Sequence, residues 1–324
     1  MKAEYQAVRE GGAGVIDLSS RGRIRVSGSE ATMFLNGLIT NDMKTLAENR
    51  WMPAAFPTVQ GRLIGAVRMA RTGDSFLIDT DAESHKAILK TVSRFTLAGD
   101  FKVTDLTAAT AMLTVQGQRA REVVEKVFPI SVSELPRDGV VELEWKGKPV
   151  TIIRATHTAE DGFDIVLDSA HVPELRQALN DAGALAVDEG TFEILRVEAG
   201  IPRYGRDMDE SNVVIETNLD DAVSFTKGCY VGQEIIVRIK HRGHVAKKLT
   251  GLRFETDQTS EAGVVIRSTD GKEIGRVTSA VFSPKLNATI ALGYVRFEYL
   301  SPGTIVSTAT VTELPFVRGS WYQD

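Results

Sequence analysis

Apolar and polar positions alternate over Arg23-Ile24-Arg25-Val26-Ser27 and stop at Gly28, which predicts a half-buried strand. Ser29 then reads as the N-cap of a helix carrying Ala31, Phe34, Leu35 and Leu38 on one face. Residues 62–71 and 74–79 flank Thr72-Gly73 and predict a hairpin. Ile88, Leu89 and Val92 recur at helical spacing within a helix over about 82–95, and 101–106 alternates again. A similar succession returns: a strand over 111–115, a helix over 118–128, and strands over 140–145 and 150–154 around Lys146-Gly147-Lys148. A strand over 162–167 and a helix over 173–182 complete it. Strand-helix-strand-strand-helix-strand order predicts the α+β class with largely antiparallel sheets, and two related halves are suspected.

From about residue 247 the pattern changes to short strands at 249–254, 263–267, 273–279, 289–295 and 304–311. Asp-Gly, Ser-Pro and Pro-Gly punctuate them. That spacing predicts a C-terminal β-barrel. A chain of 324 residues exceeds what one core normally supports. The expected division is a body over 1–245, made of two intertwined subdomains, and a barrel over 246–324.

Composition narrows the classes. No apolar run approaches the roughly 20 residues that span a bilayer, so no membrane partner is expected. The start Met1-Lys2-Ala3-Glu4-Tyr5-Gln6 has no apolar core of a secretion signal. A single cysteine excludes an internal disulfide and fits a reducing compartment, so the expected location is cytoplasmic. A formal net charge of −5 argues against nucleic acid as a partner. The local exception is Arg238, Lys240, His241, Arg242, His244, Lys247 and Lys248, which could meet an anionic ligand or form a solvated face. His241 and His244 read as surface residues, and no metal site is expected.

The one cysteine lies in Lys227-Gly228-Cys229-Tyr230-Val231-Gly232-Gln233-Glu234, followed by Ile235-Ile236-Val237-Arg238. This reads as a tight turn opening into a regular element, with glycines at 228 and 232 allowing close approach. Lys227, and the N-terminus of a helix if one follows, would favour a thiolate at Cys229. A lone cysteine is otherwise a small buried hydrophobe, so a working thiol and an inert one both stand at this point.

Six segments, in order, resemble the glycine-cleavage T-protein (aminomethyltransferase) superfamily over nearly the whole chain. They are Asp17-Leu18-Ser19, Thr40-Asn41-Asp42, His157-Thr158-Ala159-Glu160-Asp161-Gly162-Phe163-Asp164, Leu195-Arg196-Val197-Glu198-Ala199-Gly200, Tyr204-Gly205-Arg206-Asp207-Met208-Asp209-Glu210 and Gly275-Arg276-Val277-Thr278-Ser279. Within it, Lys227 to Glu234 is similar to the signature of the YgfZ-like branch, folate-binding proteins that support iron–sulfur cluster assembly or repair. The resemblance implies a T-protein-like multi-domain body around a central folate cavity, with tetrahydrofolate or a derivative as cofactor and iron–sulfur proteins as partners.

It also implies folate-binding roles for Asp164, Arg196, His157 and Tyr204. Asp164 falls at a pterin-binding glutamate and His157 at a pocket tyrosine. Cys229 with Lys227 would form the functional thiol site, framed by Gly228, Tyr230, Gly232, Gln233 and Glu234. One thiol cannot hold a cluster that takes four. Cys229 could therefore provide one ligand while a partner or a small thiol supplies the others, form a mixed disulfide, or protect a thiol-bearing intermediate. T-proteins resemble Gly-Gly-Ile-Ile-Asp-Asp where this chain has Gln60-Gly61-Arg62-Leu63-Ile64-Gly65-Ala66, so the proton-handling acid is absent. Arg62 and Arg68 nearby are poor bases. That gap argues against aminomethyl transfer by the usual route. A folate-dependent aminomethyltransferase or demethylase is the enzymatic alternative, and an RNA-associated module using 238–248 is a third. The same basic run could receive a polyglutamate tail.

Overall fold

In the computed structural model, which describes residues 2–94, 99–241, 243–255 and 260–323, two helix-covered sheets and a barrel succeed one another. Helix α1 (Ala3–Arg9) leads into β1 (Gly14–Asp17). The first half continues with β2 (Gly22–Ser27), α2 (Ala31–Leu38), β3 (Arg50–Pro57), β4 (Leu63–Thr72), β5 (Ser75–Thr80), α3 (Ala82–Ser93) and β6 (Lys102–Asp105). The second repeats that order with β7 (Thr110–Gln116), α4 (Ala120–Val127), β8 (Val140–Trp145), β9 (Lys148–Arg154), β10 (Gly162–Asp168), α5 (Val172–Asp181) and β11 (Leu185–Ala186).

The sheet orders make the kinship of the halves visible. One sheet runs β3-β4-β5-β2-β6 and the other, read from its far edge, β8-β9-β10-β7-β1-β11. Four positions correspond strand for strand. At the fifth, β6 closes the first sheet, whereas β1 from the N-terminus pairs antiparallel with β7 and carries β11 parallel on its outer side. The second half therefore cannot complete its sheet without the start of the chain. Each sheet buries its apolar alternation under its own helices, Leu35, Phe56, Phe76 and Ile88 in one core and Val124, Phe128, Phe163 and Leu175 in the other.

Some expectations change. Ser29 does not cap α2; Glu30 holds that position, and the Ser29 hydroxyl bonds Asp100 Oδ2 at 2.6 Å. β3 was missed because Pro53 interrupts a run with little alternation. The expected end of α3 at Phe95 lies outside the described residues. The run 304–311 is two strands rather than one, since Ser307 has a φ of 49° and turns the chain between β16 (Ile305–Val306) and β17 (Ala309–Thr312).

After β11 come α6 (Glu189–Glu198), an irregular stretch, and α7 (Gln233–His241), before β12 (Lys247–Phe254) opens the barrel. With β13 (Val265–Arg267), β14 (Glu273–Ser283) and β15 (Ala288–Arg296), its order is β13-β14-β15-β12-β17-β16. The two edges meet, because Ser307 N–H donates to the Arg267 carbonyl at 2.7 Å and Arg267 N–H to Ser307 Oγ at 2.8 Å. Closure removes the exposed edges of an open sheet.

Helix α6 ties the barrel to the body through buried charge. Glu198 accepts from Tyr5 and Arg9 of α1 and, at 2.5 Å, from Ser283 of β14. Among the described residues no helix is long and apolar enough to cross a membrane.

Candidate functional site

Strand pairing sets Arg68 of β4 directly opposite Asp79 of β5, and Arg68 Nε donates to Asp79 Oδ2 at 2.8 Å. Arg21 Nε closes on the other oxygen at 2.7 Å. From the facing sheet, β10 contributes Asp164, fully buried at 0% exposure. Arg68 Nη2 reaches Asp164 Oδ2 at 2.5 Å, so one guanidinium joins a carboxylate from each half of the body. Burial pushes both acids up, but Arg21 and Arg68 outweigh it at Asp79, which is held at about 2. Arg68 and His157 hold Asp164 well below the usual carboxylate range. The same acids raise Arg21 and Arg68 despite the opposing cost of burial.

His157 precedes β10, and its Nε2 lies 3.0 and 3.1 Å from the two Asp164 oxygens. Its ring meets Phe192 of α6 edge-on at 6.5 Å between centroids. Both rings line a hollow of about 60 Å³, edged also by Arg21, Asp81, Arg196 and Arg203. That is room for about four waters. Drug-sized ligands usually occupy roughly 300–1,000 Å³, so a pterin enters only if edge side chains move. Arg203, paired only with the exposed Glu189, is the edge side chain placed to do so, whereas Arg21 is held by Asp79 and Asp81.

Arg196 also lines this hollow, yet all five of its N–H groups are committed. They reach both oxygens of Glu193, Asp207, the Ile201 carbonyl and Ser279 of the barrel at 2.6–3.0 Å. Arg196 therefore clamps body to barrel, with no N–H left over for a ligand. Tyr204 lies apart from the hollow. Its side chain packs in an apolar cluster with Leu63, Val214, Tyr230 and Ile236, and only its backbone N–H reaches the site, donating to Asp81 Oδ2 at 3.0 Å.

At position 65 the missing acid has a steric reason. A side chain on Gly65 would place its Cβ 2.7 Å from both Ser84 Cβ and Ile88 Cδ1 of α3, so this packing admits no aspartate. Thr80, on the neighbouring strand, donates its hydroxyl to the Ala66 carbonyl at 3.0 Å.

Cys229 is exposed on the loop before α7. Lys227 does not serve the thiol as expected. It is 7% exposed, and its ammonium gives all three protons to the carbonyls of Asn36, Ile39 and Asn41 at 2.7, 2.9 and 2.6 Å. Burial lowers its pKa to about 8, while three acceptors call for the charged form. Lys227 is an anchor that fixes the loop to the end of α2. Gly232 has a φ of 77° and packs on the Thr58–Gly61 turn, but a Cβ on Gly228 would meet nothing. Tyr230 is buried, Gln233 Nε2 reaches the Gly228 carbonyl at 3.4 Å, and Glu234 pairs with Arg238 on the surface.

The basic run is largely committed too. Lys248 pairs with Asp220, Lys240 covers Phe225, His244 stacks on Phe297, and Lys247 covers Tyr294. Arg242 lies outside the described residues. Asp220, Asp221 and Glu313 line the hollow that leads from Ile201 to Lys248, a poor path for a polyglutamate tail. Among the described residues no group of three or more side chains could hold a metal.

Sequence reasoning passed over Asp79 and Arg21 and read Arg68 only as a poor base. The available signal was that Arg68 shares its strand face with Ile64, Ala66 and Ala70, an apolar second face that a sheet solvated on one side does not explain.

Two family models match, the GCVT N-terminal domain over residues 1–227 and the glycine cleavage T-protein C-terminal barrel domain over 247–317. An aminomethyltransferase of Rubrobacter xylanophilus is 32% identical over 98% of this chain and 86% of its own length. A putative chloroplastic transferase of Arabidopsis thaliana is 25% identical over 95% of this chain and 72% of its own. The crystal structure of glycine cleavage system aminomethyltransferase T from Bartonella henselae superposes with a TM-score of 0.90, covering 97% of this chain and 89% of that one at 25% identity. With both domains matched in order across this buried charge network, the chain belongs to the glycine-cleavage T-protein family.

Proposed function

We propose that this protein binds tetrahydrofolate beside the His157–Asp164 pair and carries out folate-dependent chemistry of the aminomethyl-transfer type. The aminomethyltransferase names of its relatives support the reaction class. The observation that carries a ligand site here is Asp164, a fully buried carboxylate kept ionised next to a hollow with two ring side chains. Strongly perturbed acids of this kind concentrate at functional sites. Gly65 and Ala66 carry no proton, so any transfer has to use another group. Titration of the purified protein with tetrahydrofolate tests the reading, with Asp164→Ala as the site variant and circular dichroism as the folding control. Saturable binding lost in the variant is the expected result; no binding by the wild type removes the proposal.

A second reading is favoured by the exposed Cys229 within its YgfZ-like signature. Here the protein is a folate-binding accessory factor for iron–sulfur enzymes in the cytoplasm, with the thiol acting on a partner. Deleting its gene should lower the activity of a subset of cluster enzymes, and Cys229→Ser should fail to restore them. Full rescue by that variant removes the thiol from the account.

A further inference from the structure

Asp164 offers no open edge to a ligand. His157 Nε2 spans both carboxylate oxygens at 3.0 and 3.1 Å, and Arg68 takes the flank at 2.5 Å. A ring nitrogen so placed must carry hydrogen, because a lone pair there would face two anionic oxygens. The neutral ring is therefore the Nε2–H tautomer, and its lone pair sits on Nδ1. No described residue bonds Nδ1, and the ring lines the hollow between Phe192 and Arg21. The cations around it are already ion-paired, Arg68 with Asp79 and Asp164 (though its Nη1 has no hydrogen-bond partner among the described residues), Arg21 with Asp79 and Asp81, and Arg203 with Glu189.

We propose that His157 is the group that touches the ligand and carries its proton, with Asp164 a positioning residue behind it. The ligand class is an amine N–H of a reduced pterin, so the inference rests on the folate reading and supplies the proton carrier that Gly65 and Ala66 cannot. In the step, the ligand nitrogen bonds the transferred carbon with its lone pair as that carbon's bond to its donor breaks with the electron pair on the donor. The N–H bond of the now cationic ligand nitrogen then breaks, its electron pair staying on that nitrogen and neutralising it. The proton bonds to Nδ1, and the resulting imidazolium is opposed by the ionised Asp164. The reverse transfer restores both partners. The arrangement places the carboxylate where it fixes ring and tautomer, the role an acid plays behind a histidine base.

The test is nitrogen-15 NMR of the histidine side chains in the full-length protein, with the five histidines resolved through His157→Phe. The free wild type should show the Nε2–H tautomer at His157, and Asp164→Asn should lose it. Saturating tetrahydrofolate should move the Nδ1 resonance as a hydrogen-bond acceptor moves. Calorimetric titration should find His157→Phe, which keeps a flat ring, about tenfold weaker in binding, the effect of one lost hydrogen bond. An Nδ1–H tautomer in the free protein overturns the proposal. So does an unmoved Nδ1 at saturation, or unchanged affinity in the phenylalanine variant; either leaves the folate reading intact. Absence of binding by the wild type removes the folate reading and the ligand contact together, whichever tautomer is seen.

Discussion

A methyl group on Gly232 would lie 2.3 Å from the carbonyl oxygen of Thr58, and Gly232 itself has a φ of 77°. The thiol-bearing loop is thus locked onto the β3–β4 turn through a residue that cannot be anything but glycine. Gly61 on that turn reciprocates, since its own Cβ would sit 3.3 Å from Ile235 and Ile236. Gly232→Ala should cost roughly 2 kcal/mol or more, combining left-handed strain with a backbone clash. Gly228→Ala should stay within about 0.5 kcal/mol. Urea denaturation of both variants makes the comparison, and equal losses would show that the loop does not pack as described.

Lys227→Met should destabilise by about 2–4 kcal/mol, because three carbonyls at the end of α2 lose their donor inside the protein. The thiol would stay exposed. If Lys227 instead acted on Cys229, the variant would keep its denaturation midpoint while the thiol reacted more slowly with a disulfide reagent.

Stability should fall in acid through the Asp79 network. The folded pKa of about 2 lies below the ordinary carboxylate value. The unfolded chain therefore binds protons first as pH drops, and stability present above about 4 is lost as pH falls through 2. The contribution is on the order of 2 kcal/mol. Urea midpoints at pH 6, 4 and 3 should decline in the wild type. Replacing Asp79 by Asn should lower stability at pH 6 and flatten that decline.

Arg196→Lys should loosen the barrel from the body. A lysine has three donors for five acceptor contacts and cannot match the planar fork. A loss of about 3 kcal/mol is expected, together with faster amide exchange across β14. Unchanged exchange in β14 would show that the clamp is not what joins the two parts.

Cys229 should react with one equivalent of a thiol reagent in the native protein, and Cys229→Ser should leave the thermal midpoint unchanged, since the residue is exposed on a loop. A thiol that reacts only after unfolding would contradict the exposed position.

Much of this molecule was legible along the chain because strands and helices here follow period-2 and period-3.6 burial. The hairpin around Gly73, the Lys146-Gly147 turn and the helices after Asp81 and His171 all lie where local pattern put them. The ordered T-protein segments were legible as runs of neighbouring residues, as was the absence of an acid at 65 and 66. Which charges meet was not. Arg68, Asp79 and Asp164 come from two sheets, and Arg196 and Ser279 from two domains, so their pairing depends on contacts between residues far apart in the chain. Lys227 looked like a thiol's companion in sequence, and tertiary packing turned it onto α2. Local periodicity is written in neighbouring residues; long-range electrostatics exists only once the sheets have closed over it.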